Sequence, residues 1–122
     1  PEERELDFER ARLAHASRLA GIEPPVDTVV VQIKDTERFR HSARTGKQFG
    51  FLGKLCIHPD QVAVCNEVFS PSAAVIEKAK KVCAAFENEK SGLVVIDGEL
   101  IELPVVRTSY RILAIAQRLA KR

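Results

Sequence analysis

The sequence has 122 residues, of which 45% are hydrophobic and 30% charged, a composition typical of a globular domain and not of a disordered chain. Its 19 basic and 17 acidic residues leave a formal net charge of +2 and alternate in sign, which excludes the clustered basic face of a nucleic-acid-binding protein. No apolar run approaches the about 20 residues that span a bilayer, and we expect no secretory signal in the charged residues 1–20. These patterns predict a cytoplasmic protein without a membrane or nucleic-acid partner.

The first part of the chain predicts a helix followed by a strand. The helix covers residues 2–20, and a left-handed Gly21 is expected to end it. Its apolar face carries Leu6, Leu13, Ala16 and Ala20. After the stiff connector Glu23-Pro24-Pro25, residues 26–33 predict a strand with a continuously apolar, valine-rich centre. Such a strand is typical of parallel sheets that are buried on both faces.

A second helix and a second strand repeat this order. The helix covers residues 37–49, with Asp35 or Thr36 as its cap. Its inward-facing residues are Phe39, Ala43 and Phe49. The strand covers residues 51–57, and His58-Pro59 stops it because proline cannot donate to a central ladder.

Two further helices follow. Residues 60–67 predict a short helix. Ser70-Pro71 predicts the start of a long helix, because serine accepts hydrogen bonds from first-turn amides and proline suits the first helical position. This helix ends near Glu89, and its apolar residues Val75, Ala79, Val82 and Phe86 are spaced four, three and four positions apart.

The last part of the chain predicts a hairpin and a final helix. Two short strands, 93–96 and 100–103, flank Asp97-Gly98, which favours a tight hairpin turn because both central residues need a positive φ. The final helix covers residues 105–120. Its apolar stripe carries Val105, Ile112, Ile115 and Leu119.

This order of elements predicts a mixed α/β protein whose sheet is incomplete. Two buried-type parallel strands need neighbours on both edges, and the remaining elements do not provide them. We therefore expect the chain to be the C-terminal part of a larger unit or to pair with other chains.

The three cysteines, Cys56, Cys65 and Cys83, lie nine and eighteen positions apart, without a C-x-x-C motif. An odd count without close pairs argues against a disulfide framework and against a zinc site. We expect reduced, mostly buried thiols.

Two patterns are similar to functional motifs but do not meet their requirements. Gly50-x-x-Gly53-Lys54 lacks the spacing and the Ser or Thr of a phosphate-binding loop, so the glycines are interpreted as aids to strand entry. Asp27 and Asp35 stand at opposite ends of one predicted strand, so they are not a carboxylate dyad.

Several short motifs resemble one known family. The segment from Gly50 to Gln61 is similar to the citrate lyase β-subunit-like branch of the HpcH/HpaI aldolase family, the carbon–carbon lyases of CoA thioesters. The other matching positions, in the same order as in the family, are Asp27, Asp35, Asn66, Phe69-Ser70-Pro71-Ser72, Asp97-Gly98, Ile101 and Pro104. The resemblance covers nearly the whole chain.

The resemblance implies a fold. Residues 1–68 would form the C-terminal part of a (β/α)8 TIM barrel, with strands 7 and 8 and their helices. Residues 69–122 would form a C-terminal extension of a long helix, a β-hairpin and a final helix. The active site would lie at the carboxyl ends of the barrel strands.

The resemblance also implies an activity. The whole protein would be a Mg²⁺-dependent carbon–carbon lyase for a β-hydroxy-acyl-CoA such as malyl-CoA or citryl-CoA. The Mg²⁺ ligands are expected in the upstream part of the barrel and none in this chain. The partners would be that upstream part and further copies of the protein, often as a trimer. The alternatives are an acyl-CoA thioesterase of the same family and a non-catalytic oligomerisation fragment.

The resemblance selects five site residues. Glu102 stands where the family has an extension aspartate that acts on the neighbouring subunit as a catalytic acid or base. The alternative is a solvated charge on an edge hairpin. The residues expected to contact the substrate or CoA are His58, Pro59, Gln61 and Asp35. For these residues the alternatives are structural: His58 would fix a turn, while Gln61 and Asp35 would cap helices.

Overall fold

The computed structural model of the chain describes residues 3–89 and 94–121. Residues Pro1–Phe69 form one compact unit and Ser70–Arg122 another. Both contain helices and short strands, which confirms the mixed α/β class. Among the described residues, no helix is both long and apolar enough to cross a membrane.

The first unit begins with a 3₁₀ turn, Arg4–Leu6, and helix α1, Asp7–Leu19. Gly21 follows with a φ of 67°, which confirms the left-handed end of the helix. The predicted apolar face is exposed at Leu13, Ala16 and Ala20. The buried residues of α1 are Arg10 and Ser17, and Arg10 forms an ion pair with the buried Asp27.

Two very short parallel strands follow, β1 (Val26–Asp27) and β2 (Gly53–Lys54). The predicted extents, 26–33 and 51–57, are wrong. A ladder grows only where a partner backbone lies alongside, and these two segments pair over two residues each before they diverge. Beyond Asp27 the backbone turns, as shown by the hydrogen bond from Ile33 N to Val31 O at 3.0 Å.

Helix α2 (Thr36–Gln48) connects the strands and α3 (Pro59–Phe69) follows β2. Asp35 caps α2 and accepts a hydrogen bond from Arg38 N at 2.9 Å, as predicted. Phe39 and Ala43 face inward as expected. The core of this unit contains Val30, Phe39, Ala43, Val64 and Val68.

The second unit begins with α4 (Ala73–Asn88). Ser72 caps this helix and accepts a hydrogen bond from Val75 N at 3.3 Å. The predicted start at Ser70-Pro71 is therefore wrong, because the cap lies two residues later, at Ser72. Ser72 has the extended backbone that a cap requires, and Pro71 lies before the helix. Of the apolar residues at helical spacing, Val75 is 43% exposed, while Ala79 and Val82 are buried.

A hairpin and the last helix complete this unit. Strands β3 (Val94–Ile96) and β4 (Glu99–Ile101) pair antiparallel, with Ile96 opposite Glu99. Asp97 and Gly98 have φ values of 50° and 83°, which confirms the predicted two-residue turn. Leu93, the predicted first strand residue, lies outside the described residues.

Helix α5 covers Leu103–Ala120, with Pro104 in its first turn. The predicted apolar stripe is exposed at its two ends, where Val105 and Leu119 are 42% and 40% exposed. Val106 is buried instead, because it packs with Val94 and Ile101 of the hairpin.

Candidate functional site

The carboxyl ends of β1 and β2 lie side by side, because the strands are parallel and Asp27 is opposite Lys54. Two irregular segments leave this edge, residues 28–35 and 55–58. In parallel α/β folds, ligands bind outside the carboxyl ends of the strands. This edge is therefore the candidate site of the first unit.

Gln61 joins the two segments. Its Nε2 donates to Val30 O at 2.9 Å, and its Oε1 accepts from Ile57 N at 2.9 Å. The side chain is 2% exposed, so each backbone group that it binds is withdrawn from water. Gln61 holds both segments in place and presents neither polar atom to solvent.

His58 follows β2 and is half-buried. Its Nδ1 accepts a hydrogen bond from Asp60 N at 3.2 Å and lies 3.4 Å from the Asp60 carboxylate. An Nδ1 that accepts leaves Nε2 with the proton in the neutral imidazole. His58 therefore offers an N–H donor at the carboxyl end of β2. The next residue, Pro59, is exposed and begins α3.

Asp35 lies at the end of the other segment. Its carboxylate is exposed and caps α2. In this structure Asp35 therefore has the structural role that was expected as the alternative to substrate contact. It does not touch Asp27, which is buried at the opposite end of the segment.

A buried ionic cluster lies beneath this edge. The Asp27 carboxylate accepts from Arg10 Nε at 3.2 Å, Arg10 Nη2 at 3.0 Å and Lys54 Nζ at 3.0 Å. The side chains of Arg10, Asp27 and Lys54 are 3%, 5% and 0% exposed. Two cations and one buried carboxylate leave an excess positive charge.

Glu3 supplies a second carboxylate. It accepts from Arg10 Nη2 at 2.8 Å and from Ser42 Oγ at 2.7 Å. The cluster thereby connects α1, α2, β1 and β2 through charge-assisted hydrogen bonds.

The acidic members of the cluster are ionised in the fold. Burial alone would raise the pKa of Asp27, but hydrogen bonds from Arg10 and Lys54 lower it below its ordinary value. The pKa of Glu3 is lowered too, because the hydrogen bonds from Arg10 and Ser42 outweigh burial. The same carboxylates raise the pKa of Arg10 against the effect of burial.

This cluster was not predicted from the sequence. Asp27 and Lys54 stood out only as members of short motifs, and no role was assigned to Arg10. One signal was present: Gly46 lies inside a helix, where glycine is unfavourable. A Cβ at Gly46 would lie 2.8 Å from Asp27 Oδ2, so the glycine allows α2 to approach that carboxylate.

The described residues do not fit a Mg²⁺ site. They contain no group of three or more His, Cys, Asp or Glu side chains that could hold a metal ion. The buried carboxylate of Asp27 already binds two cationic side chains. Mg²⁺ requires several oxygen ligands in octahedral geometry, and this cluster cannot supply them.

Glu102 belongs to the second unit. It follows β4, precedes α5 and is exposed. Its side chain makes no hydrogen bond to the first-turn amides of α5. Its backbone oxygen accepts from Val105 N at 2.9 Å. The backbone of Glu102 is therefore held by the first turn of α5, while its carboxylate does not cap the helix.

Comparisons with known proteins agree with the motifs. Residues 1–59 match the model of the HpcH/HpaI aldolase/citrate lyase family. The chain is 35% identical to citrate lyase subunit beta of Leuconostoc mesenteroides subsp. cremoris over 95% of this chain and 39% of that protein. It is 41% identical to a (3S)-malyl-CoA thioesterase of Cereibacter sphaeroides over 78% of this chain and 34% of that protein.

A solved structure shares the fold. It is CitE from Mycobacterium tuberculosis, in complex with magnesium, acetoacetate and coenzyme A. The two chains are 29% identical and superpose with a TM-score of 0.75 over 88% of this chain and 40% of that one. The chain thus spans about two fifths or less of the length of these relatives. The similarity runs through both units, and the chain belongs to the HpcH/HpaI aldolase/citrate lyase family.

Proposed function

We propose that the chain is the C-terminal portion of a Mg²⁺-dependent carbon–carbon lyase for a β-hydroxy-acyl-CoA such as malyl-CoA or citryl-CoA. The observation that supports this most directly is the shared fold with CitE, whose structure holds magnesium, acetoacetate and coenzyme A. The 35% identity to a citrate lyase subunit over 95% of the chain favours the same reaction class. The magnesium ligands would lie in the part of the protein that these residues do not include.

In this proposal residues 1–68 supply strands 7 and 8 of a (β/α)8 barrel with their helices. The exposed apolar residues of the first unit support it, because faces of this kind are normally covered by neighbouring elements. They are Phe8, Leu13, Leu19, Ile22, Val26, Val31, Leu55 and Ile57. Their covering elements would be the upstream part of the same barrel.

The proposed substrate contacts lie at the carboxyl ends of β1 and β2. His58 Nε2–H would donate to an oxygen of the CoA or of the acyl group, because Nδ1 is already engaged by Asp60 N. Gln61 would position this donor through Ile57 rather than touch the substrate. Pro59 and Asp35 lie on the same edge and would line the CoA path.

Glu102 would act on the active site of a neighbouring subunit in a homo-oligomer, with a trimer as the expected form. The hairpin that carries it exposes Val95 and Leu100, which are opposite each other and 67% and 56% exposed. Docking of this face on another subunit would bury both side chains and carry Glu102 with them. Residues 69–122 would thus form an extension that completes a neighbour's site.

A thioesterase is the second candidate. The 41% identity to a (3S)-malyl-CoA thioesterase favours it. Both reactions start from the same thioester, but they break different bonds. The lyase breaks a carbon–carbon bond and releases a carbonyl acid, while the thioesterase adds water and releases the free CoA thiol.

The test uses the whole protein that contains these residues, with malyl-CoA and citryl-CoA as substrates. A carbonyl reagent and a thiol reagent follow the two products in parallel. Release of a carbonyl acid without free thiol supports the lyase, and release of thiol alone supports the thioesterase. If neither thioester is turned over in the presence of Mg²⁺, both enzymatic proposals fail. The remaining alternative is then a non-catalytic oligomerisation fragment.

A further inference from the structure

Two cysteines of the first unit share one hydrogen-bond acceptor. Cys56 follows β2, and its Sγ lies 3.7 Å from the backbone oxygen of Lys54. Cys65 lies in α3, and its Sγ lies 3.5 Å from the same oxygen. Both side chains are half-buried and are free thiols. The fold therefore brings together two sulfurs that are nine positions apart in the sequence.

The two thiols are neighbours around this oxygen. Burial raises the pKa of the Cys56 thiol, and the charge and hydrogen bond of the neighbouring Cys65 thiol raise it further. Both sulfurs pack against the core of Val30, Phe39 and Val64. The proposed function uses neither of them. Cys83 belongs to the other unit and is 5% exposed, so it provides an internal comparison.

We propose that Cys56 and Cys65 form a thiol–disulfide pair that is oxidised by a small-molecule disulfide. One cysteine thiolate attacks the small disulfide and releases one small thiol, which leaves a mixed disulfide on the protein. The second cysteine thiolate attacks that mixed disulfide and releases the second small thiol. The protein loses two electrons and two protons, and the small disulfide is reduced to two thiols.

The new bond would have a local structural effect. It would link the segment that carries His58 to α3, which carries Gln61, and these two residues define the candidate site. Oxidation would therefore restrict the movement of the carboxyl end of β2. The proposal does not depend on the lyase or thioesterase activity.

The sequence provides a direct assay. Trypsin cleaves after Lys54 and next after Lys78, so both cysteines fall in the single peptide 55–78. Cys83 falls in the separate peptide 82–90. The whole protein that contains these residues is equilibrated in buffers of reduced and oxidised glutathione, alkylated and digested, and its peptides are weighed. We expect peptide 55–78 to appear unalkylated and about 2 Da lighter than its reduced form, while Cys83 stays alkylated.

A measurement in denaturant tests whether the fold, and not proximity in the sequence, brings Cys56 and Cys65 together. We expect the equilibrium constant for the internal disulfide to be at least about tenfold larger in buffer than in concentrated urea, because only the folded chain holds the sulfurs together. Cys83→Ser should leave this constant unchanged. Cys65→Ser should abolish the light peptide and leave Cys56 alkylated or joined to glutathione.

Three results would overturn the proposal. The first is alkylation of both cysteines in every glutathione buffer. The second is an equal constant in buffer and in urea. The third is oxidation of Cys83 at the same potential as the pair, since that would indicate general unfolding instead of a site.

Discussion

The Asp27 carboxylate accepts hydrogen bonds from two cationic side chains that are almost fully withdrawn from water. Asp27→Asn keeps the shape but leaves Arg10 and Lys54 buried without that charge. We expect the free energy of unfolding of the first unit to fall by about 3–5 kcal/mol, the usual cost of breaking a buried pair. This free energy is measured by urea denaturation, with hydrogen exchange of the α2 amides as the probe. Asp60→Asn, at an exposed carboxylate, should change it by less than about 0.5 kcal/mol, and equal effects would contradict the prediction.

The same carboxylate makes the stability of this unit depend on pH. The hydrogen bonds of Arg10 and Lys54 outweigh burial and hold the folded-state pKa of Asp27 below its ordinary value of 3.8. Its contribution is therefore fully present above pH 3.8 and is lost as the pH falls through the folded-state pKa. We expect the difference in unfolding free energy between wild type and Asp27→Asn to be constant near neutral pH and to shrink in acid. A difference that grows in acid would contradict this assignment.

Gly46 tests how closely α2 approaches the cluster. Alanine is normally better than glycine inside a helix by about 1 kcal/mol. Here its Cβ would lie 2.8 Å from Asp27 Oδ2 and 3.3 Å from Asp27 Cβ. Asp27 cannot move without lengthening its hydrogen bonds, so we expect Gly46→Ala to lower the unfolding free energy by about 1–3 kcal/mol. The matched control is Gly53→Ala, whose Cβ would meet only Val26 at 4.0 Å. If Gly46→Ala instead stabilised the unit, the ionic cluster would tolerate displacement of Asp27, and the prediction would be wrong.

Glu102 tests the proposed function at a single side chain. If it moves a proton in a neighbouring subunit, Glu102→Gln in the whole protein should lower turnover by about 10²-fold or more. Oligomer size and affinity for the acyl-CoA should stay unchanged, and Glu102→Asp should keep part of the activity. Glu99→Gln is the control, because Glu99 is an exposed carboxylate of the same hairpin. Full turnover of Glu102→Gln would reduce Glu102 to a solvated charge.

At the scale of elements, α3 holds the candidate site through Gln61. In Gln61→Glu a carboxylate oxygen replaces Nε2 and faces Val30 O, while the other oxygen still accepts from Ile57 N. We expect the unfolding free energy of the first unit to fall by about 1–3 kcal/mol at neutral pH. The loss should be smaller in acid, because a protonated glutamate can donate to Val30 O.

Asn66→Asp provides the control for that measurement. It makes the same amide-to-acid change in α3 at an exposed position. Urea denaturation at neutral and acidic pH compares the two variants. Equal effects, or a pH dependence that is the same in both, would contradict the bridging role of Gln61.

Elements whose signals are local were predictable from the sequence. The turn at Asp97-Gly98 depends on two residues that tolerate positive φ, and the cap at Asp35 depends on one side chain and the amides that follow it. The strands over residues 26–33 and 51–57 were not predictable in extent. A strand ends where its partner departs, and the partner of Val26–Asp27 is 27 positions away in the chain. Hydrophobicity records burial but not pairing.

For the whole molecule, the order of the motifs indicated the family. The five site residues that it suggested remain predictions, and it did not indicate the buried cluster. Arg10 and Asp27 are far apart in sequence, and a charged residue on a helix normally faces water. The exposure of the apolar helix faces was not predictable for a related reason. A helical stripe shows which side is apolar, but contact with a neighbour decides whether that side is covered, as the exposed Leu13 illustrates.

The exposed apolar side chains predict how the chain behaves when it is studied alone. Leu19, Ile22 and Val31 are 76%, 66% and 66% exposed, and the hairpin adds Val95 at 67%. Apolar surface of this kind favours association. We expect the isolated chain to be unstable or to associate reversibly with increasing concentration in sedimentation velocity. A monodisperse monomer with a cooperative thermal transition would contradict the proposed barrel fragment.

The burial of Lys54 has a consequence for amine chemistry. Its Nζ is fully enclosed and is bound to Asp27, so an acylating reagent, including a reactive thioester, meets the other lysines first. Acylation of Lys54 requires the first unit to open, and an acylated Lys54 is no longer a cleavage site for trypsin. The appearance of peptides that run uncut through this position therefore measures how often the ionic cluster comes apart in the native protein.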